Sequence, residues 1–247
     1  MTGKAYQAVP IRECGEPLLA IPRQPFAFCQ PHAYEALGAP YAGVSPWQLR
    51  RPVCLALVDA ARRLAARQPG WRLRLFDAYR PLAVQAHMVW REFGLQAGRC
   101  GASLAGLDTP AALARRDPAL HDQLAATVYT FWGLPSDDPA TPPPHSTGAA
   151  VDLTLEDETG RELDMGGLID ETTERSFPDH YAGLPGEYAA RCDTLRRLLN
   201  AVMTEAGFRR HRHEWWHFSM GDQMAALAGG EAAAIYGRAD LLTRPGA

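Results

Sequence analysis

Apolar and polar positions alternate along this chain in a few strongly periodic stretches, separated by long aperiodic ones. In "VCLALVDAARRLAARQ" (53–68) the apolar residues recur at helical spacing and the run stops before Pro69-Gly70, which predicts a helix. "WRLRLF" (71–76) alternates with period two and predicts a half-buried strand. "LAVQAHMVWREFG" (82–94) returns to helical spacing, with Pro81 suited to start the helix and Gly94 to end it. Residues 109–132 are helical in pattern with a break near Pro118, and "EYAARCDTLRRLLNAVMTEAG" (187–207) is the clearest helix, stopped by Gly207.

The remaining segments give extended or irregular signals. Residues 1–50 are Pro-rich and predict strand pieces and loops, and "LPSDDPATPPP" (134–144) predicts a loop. "AVDLTLEDETGRELDMG" (150–166) reads as a β-hairpin turning at Glu158-Thr159-Gly160. Residues 167–186 form a long polar loop, a length that in compact domains goes with function or disorder. "FRRHRHEWWHFSM" (208–220) is aromatic and β-prone. Helices followed by strands, with hairpin signals and no regular βαβ alternation, predict an α+β fold whose central antiparallel sheet is flanked by helices. A length of 247 residues suits a single domain over 1–247, with an irregular part at 1–50 and an extension at 221–247.

Composition narrows the function classes. Hydrophobic residues make up 47% and charged residues 21%, values of an ordinary globular protein able to bury a core without staples. A net charge of -3 gives no electrostatic footprint for nucleic acid or an anionic membrane. Lys4 is the only lysine, which reads as a coding preference for Arg rather than a functional signal. The cysteines Cys14, Cys29, Cys54, Cys100 and Cys192 are scattered and form no C-x-x-C, which argues against a disulfide framework or a Cys-rich zinc site. No stretch reaches the roughly 18 apolar residues of a membrane span, and "MTGKAYQAVPIREC" lacks an apolar leader core. The expectation is a cytoplasmic enzyme, or a periplasmic one if the start is mis-set.

The chemistry concentrates in two segments. "HSTGAAVDLTL" (145–155) sets His145 and Asp152 seven residues apart among small and apolar residues. An odd separation would point them to opposite faces of a straight strand, so a turn must intervene, and Gly148 permits one. Asp152 lies between Val151 and Leu153, where an unpaired carboxylate is costly. A shared metal ion meets that cost; an ordinary loop His and a salt-bridged Asp is the competing reading. "HEWWHF" (213–218) adds His217 as a third ligand, the complement of a catalytic zinc, with Glu214 beside the bound water. His213 and His217 also fit H-E-x-x-H, but that pattern needs a helix, and the helix before it stops at Gly207. His211 and His213, among arginines, read as solvated.

These two segments resemble the signature segments of the zinc D-alanyl-D-alanine dipeptidase family, of the vancomycin-resistance type, within the D-Ala-D-Ala metallopeptidase and hedgehog-like superfamily. The family pattern is H-x(6)-D followed far downstream by E-x-x-H, and both spacings hold here. "FDAYRP" resembles a third family segment and "LDMGGLID" a fourth, all in family order across 76–218. The resemblance implies a hedgehog/D,D-peptidase-like fold and one Zn2+ per chain on His145, Asp152 and His217. It implies Glu214 as general base and acid, Arg80 as transition-state stabiliser and Asp170 as the holder of the substrate's ammonium group, with Asp164 and Glu171 as alternative alignments. The implied partner is a small dipeptide of cell-wall chemistry, with no nucleic acid and no membrane. Pro143 stands where the family commonly has Ser, which leaves the identity of the dipeptide open. A D,D-carboxypeptidase or peptidoglycan-peptide hydrolase, and a non-catalytic zinc-stabilised binding domain, are the alternatives.

Overall fold

The computed structural model describes residues 4–242. Residues 1–3 and 243–247, the ends of the expected N-terminal part and C-terminal extension, lie outside the described residues. The first fifty residues form short pieces: strand β1 (Leu18–Ala20), strand β2 (Ala27–Phe28), the one-turn helix α1 (Ala33–Ala36) and strand β3 (Gln48–Arg50). Helix α2 (Arg51–Arg67), strand β4 (Arg72–Asp77) and helices α3 (Leu82–Arg99), α4 (Pro110–Arg116) and α5 (Pro118–Phe131) follow. Strand β5 (Ala150–Glu156), helix α6 (Glu187–Glu205), strands β6 (Arg209–Arg210) and β7 (His217–Ser219) and helix α7 (Gln223–Gly229) complete the order.

The main sheet has five strands in the order β2-β4-β5-β7-β6, while β1 and β3 form a separate antiparallel pair. Every neighbour in the main sheet is antiparallel except β2, which runs parallel to β4 at one edge. The expected α+β class holds, and the sheet is mixed at that edge because β2 reaches β4 through the long crossover of α1, β3 and α2. β5 is central and buried along its whole length, so its apolar residues Val151, Leu153 and Leu155 join the core with Leu57, Leu64, Leu199, Met203 and Trp216. A second cluster, with Val84, Val89, Phe93, Leu124 and Val128, joins α3 to α5.

Two expectations need correction. Helix α3 does not end at Gly94 but runs on to Arg99. A glycine inside a helix costs about 1 kcal/mol, and burying one large apolar side chain is worth about 1.5–3 kcal/mol. Phe93 and Ala97 lie on the buried face on either side of Gly94, so packing outweighs the local stop signal. The hairpin after β5 has the expected turn, fixed by Asp157, which accepts hydrogen bonds from the Thr159 and Arg161 amides. Its return arm, however, forms only the bridge Glu156–Glu162, and β5 pairs instead with β4 and β7. No described helix is long and apolar enough to cross a membrane.

Chain ends meet close to the sheet. Ile11 bridges Ala234, and the Gln223 side-chain amide donates to the carbonyls of Val9 and Ala140, at 2.6 and 2.9 Å. Arg50, fully buried, donates to the carbonyls of Thr147 and Gly237 and pairs with Glu13.

Candidate metal centre and cleft

Strand pairing brings the polar residues together. Asp152 on β5 lies opposite His217 on β7. An irregularity in β4 between Leu75 and Asp77 sets Asp77 opposite Asp152 on the other side. His145 arrives from the 3-10 turn Pro144–Thr147, and Gly148 closes that turn at φ 71°, the left-handed conformation glycine adopts without strain. A Cβ at Gly148 would also collide with the Leu18 side chain. The turn required by the odd spacing of His145 and Asp152 is therefore present.

His145, Asp152 and His217 are all buried and present one donor atom each to a common point. His145 Nε2 lies 3.2 Å from His217 Nδ1 and 3.2 Å from Asp152 Oδ2. His217 Nδ1 lies 3.0 Å from Asp152 Oδ1, yet that oxygen is buried without a properly directed hydrogen bond. Each imidazole also has an outward contact. His145 Nδ1 is 2.7 Å from the Ala78 carbonyl, which can only accept, so the proton sits there and Nε2 carries a lone pair. His217 Nε2 faces Ser219 Oγ at 3.1 Å, and an Nε2 proton donated to that oxygen leaves the Nδ1 lone pair inward. Two imidazole lone pairs and a carboxylate aimed at one point repel each other unless a cation lies between them. Zinc bonds of about 2.0–2.1 Å in tetrahedral array put donors about 3.3 Å apart, so this donor set fits such an ion in chemistry and in spacing. Burial raises the Asp152 carboxyl, but the adjacent His145 and His217 more than offset it and hold it far below the usual range.

Behind this trio stands Asp77, which the sequence did not single out. It accepts from Arg80 Nε at 2.9 Å, pairs with His32 Nε2 at 3.0 Å and lies 3.5 Å from His145 Nδ1. Arg80 is buried and fully engaged. Its guanidinium donates to Asp77, to Gln85 Oε1 at 2.8 Å and to Tyr34 Oη at 3.1 Å, and reaches Asp152 at 3.4 Å. It also lies over the rings of Tyr34 and Trp132, at 4.7 and 5.4 Å.

Glu214 sits in the turn before β7, buried, with Oε2 3.8 Å from His217 Nδ1. It stands beside the donor trio rather than in it. Burial, reinforced by Asp152, pushes its carboxyl well above the usual range. Residues 211–216 form bends rather than a helix, which excludes the H-E-x-x-H arrangement; His213 packs against Phe177 instead. His211 departs from its expected solvated position: it is buried, lines the cleft and lies 3.6 Å from Glu214 Oε2. Its ring packs against those of His213 and His217 despite its arginine neighbours, a tertiary effect with no local signal.

Asp170 also lines the cleft, in left-handed conformation at φ 66°. Tyr34 donates its hydroxyl to the Asp170 carboxylate at 2.9 Å. Burial, with the nearby Asp152 charge, raises the Asp170 carboxyl to about 7. Of the alternative alignments, Asp164 is exposed and Glu171 is committed to Arg175 and Thr173. Tyr34, Gln85, Trp132 and Lys4 join the cleft without having been foreseen; all four lie outside the motif segments.

Comparisons with known proteins place the chain in a family. A family described as D-ala-D-ala dipeptidase matches residues 29–231. A D-alanyl-D-alanine dipeptidase of Synechocystis sp. is 43% identical over 229 residues, covering 90% of this chain and 89% of that protein. The D-alanyl-D-alanine dipeptidase of Escherichia coli is 36% identical over 172 residues, covering 68% and 67%. That of Enterococcus faecalis is 29% identical over 175 residues, covering 70% and 73%.

Proposed function

The chain belongs to the D-Ala-D-Ala dipeptidase family, and from that premise we propose that it hydrolyses D-Ala-D-Ala, or a close relative, to free amino acids with one zinc ion per chain. The observation that carries the proposal is the convergence of three lone-pair donors with Glu214 and Arg80 in one cleft. In this reading His145, Asp152 and His217 hold the ion. When bound, zinc supplies Lewis-acid polarisation of the peptide carbonyl and acidifies water.

The chain's own residues do the rest. Glu214, desolvated and with a raised proton affinity, accepts a proton from the attacking water and returns it to the leaving amine. Arg80 faces the charge that develops on the carbonyl oxygen, and its four anchors keep it from reorganising during the reaction. Asp170 receives the substrate's ammonium group. A purely structural metal site would need neither a buried Glu214 nor a buried Arg80, and both are costly to bury. We further read 1–247 as one domain, a reading supported by the described chain ends meeting beside the sheet.

Turnover of the purified zinc-loaded protein tests the proposal. D-Ala-D-Ala should be cleaved, and N-acetyl-D-Ala-D-Ala should be about 10³-fold poorer or worse, because a blocked amine leaves a desolvated carboxylate without a partner. Asp170→Ala should narrow that gap. Equal cleavage of both peptides would make the protein a carboxypeptidase. The Asp170 carboxyl also sets a pH dependence. Below about 7 a proton occupies the group the ammonium needs, so KM for the free dipeptide should rise as pH falls through neutrality. In Asp170→Asn this component of the KM profile should vanish; its persistence would place the titration elsewhere.

Arg80→Lys should behave as a severe change. A lysine cannot reproduce the fork that reaches Asp77, Gln85 and Tyr34 together. Loss of one stabiliser of the developing oxyanion lowers kcat by about 10²–10³-fold. A variant changed only in KM would recast Arg80 as a ground-state binding residue.

A further inference from the structure

The only lysine of the chain does not follow the coding-preference reading: Lys4 lines the cleft together with His145, Asp152, Glu214 and His217. It lies before residue 29, where the family match begins. The segment that carries it is fixed in place. The Lys4 amide donates to Gln7 Oε1 at 2.9 Å, Tyr6 is buried, and the Gln223 side chain clamps the Val9 carbonyl at 2.6 Å.

The Lys4 ammonium makes no hydrogen bond or ion pair with any described residue, although the residue is half-buried. Burial lowers its proton affinity, and Glu214 is the nearby charge that opposes this. The other cation in the cleft, Arg80, already pairs with Asp77 and reaches Asp152, and in the reading above it serves the developing oxyanion. A half-buried cation without a partner in that cleft is complementary to an anion that arrives with the substrate.

The chemistry of a dipeptide identifies the anion. The scissile nitrogen and the terminal carboxylate belong to the same residue and are attached to the same Cα. A carboxyl that protonates the leaving nitrogen must therefore lie near the terminal carboxylate as well. That carboxylate would be repelled by Glu214 unless a cation stood near it, and Lys4 lines the same cleft as Glu214. The substrate's ammonium end belongs to Asp170, which Tyr34 holds by its hydroxyl. Resting on the dipeptidase reading above, we propose that Lys4 is the carboxylate-binding residue of the leaving-group subsite, so that Lys4 and Asp170 together select a short zwitterion by its two ends.

The test compares D-Ala-D-Ala with its C-terminal amide, which keeps the scissile bond and loses the anion. The zinc-loaded full chain should favour the acid. Lys4→Gln should raise KM for the acid by about 10–100-fold, the range for a hydrogen bond to a charged group, and collapse the acid-to-amide preference. Lys4→Arg should restore part of it. Equal losses on acid and amide, or a loss confined to kcat, would overturn the subsite and make Lys4 a residue acting through Glu214. A wild-type acid-to-amide ratio near one would overturn it without any variant, whatever the folding of Lys4→Gln. Failure of the wild type to cleave D-Ala-D-Ala at all would instead sink the dipeptidase reading on which the subsite rests.

Discussion

His145→Ala and Asp152→Ala should each lose the bound metal and with it all measurable turnover, while His213→Ala should keep both. The trio supplies three inward donors separated by 3.0–3.2 Å, and removing one leaves two, too few for a catalytic zinc site. Asp152→Ala removes the anion that balances the ion's charge, and His145→Ala removes a donor whose tautomer is fixed by the Ala78 carbonyl. Metal content per chain, measured after dialysis, is the direct readout. Thermal unfolding gives a second one, because an ion bound only by the folded state at 1,000 times its dissociation constant stabilises by about 4 kcal/mol. A chelator should therefore lower Tm of the wild type and of His213→Ala, and leave His145→Ala unchanged. If His213→Ala loses the metal and His145→Ala retains it, the ligand set is wrong.

How much of this was legible in the sequence depends on the range of each interaction. His145, Asp152, Glu214 and His217 stand in two short segments, so spacing and residue type marked them as candidates and the family resemblance implied their roles. The turn at Gly148 was legible for the same reason, since an odd spacing demands a reversal and glycine supplies it. The major helices were legible from periodicity, although the end of α3 was not, because burial of Phe93 and Ala97 overrides Gly94. Asp77 was invisible as a hub: its importance comes from the irregularity in β4 that aligns it with Asp152, and from His32, 45 positions earlier in the chain. Tyr34 and Lys4 come from the irregular first fifty residues, where no periodic pattern says which side chain will reach the cleft. The burial of His211 was missed because its neighbours Arg210 and Arg212 suggested a solvated strand. Long-range placement, rather than local chemistry, is what the sequence withheld.

Glu214→Gln should retain zinc, fold normally and lose about 10²–10⁴-fold in kcat, the usual contribution of a positioned proton carrier. Geometry separates this from a ligand change: Glu214 Oε2 is 3.8 Å from His217 Nδ1, beside the donor trio, so the amide leaves the metal site intact. Glutamine keeps the size and the hydrogen-bonding reach of the side chain but cannot accept and return a proton. Stability should not suffer, because burial already makes the ionised carboxylate costly. The sign follows from the raised proton affinity. The protonated carboxyl favours the folded state at low pH, and that contribution is lost as pH rises from the ordinary glutamate value through the raised one. The metal-free Gln variant lacks this titration, so its Tm relative to wild type should increase with pH across that window. Near-normal turnover in a zinc-loaded variant would remove Glu214 from proton transfer, whereas loss of zinc would place its carboxylate among the ligands.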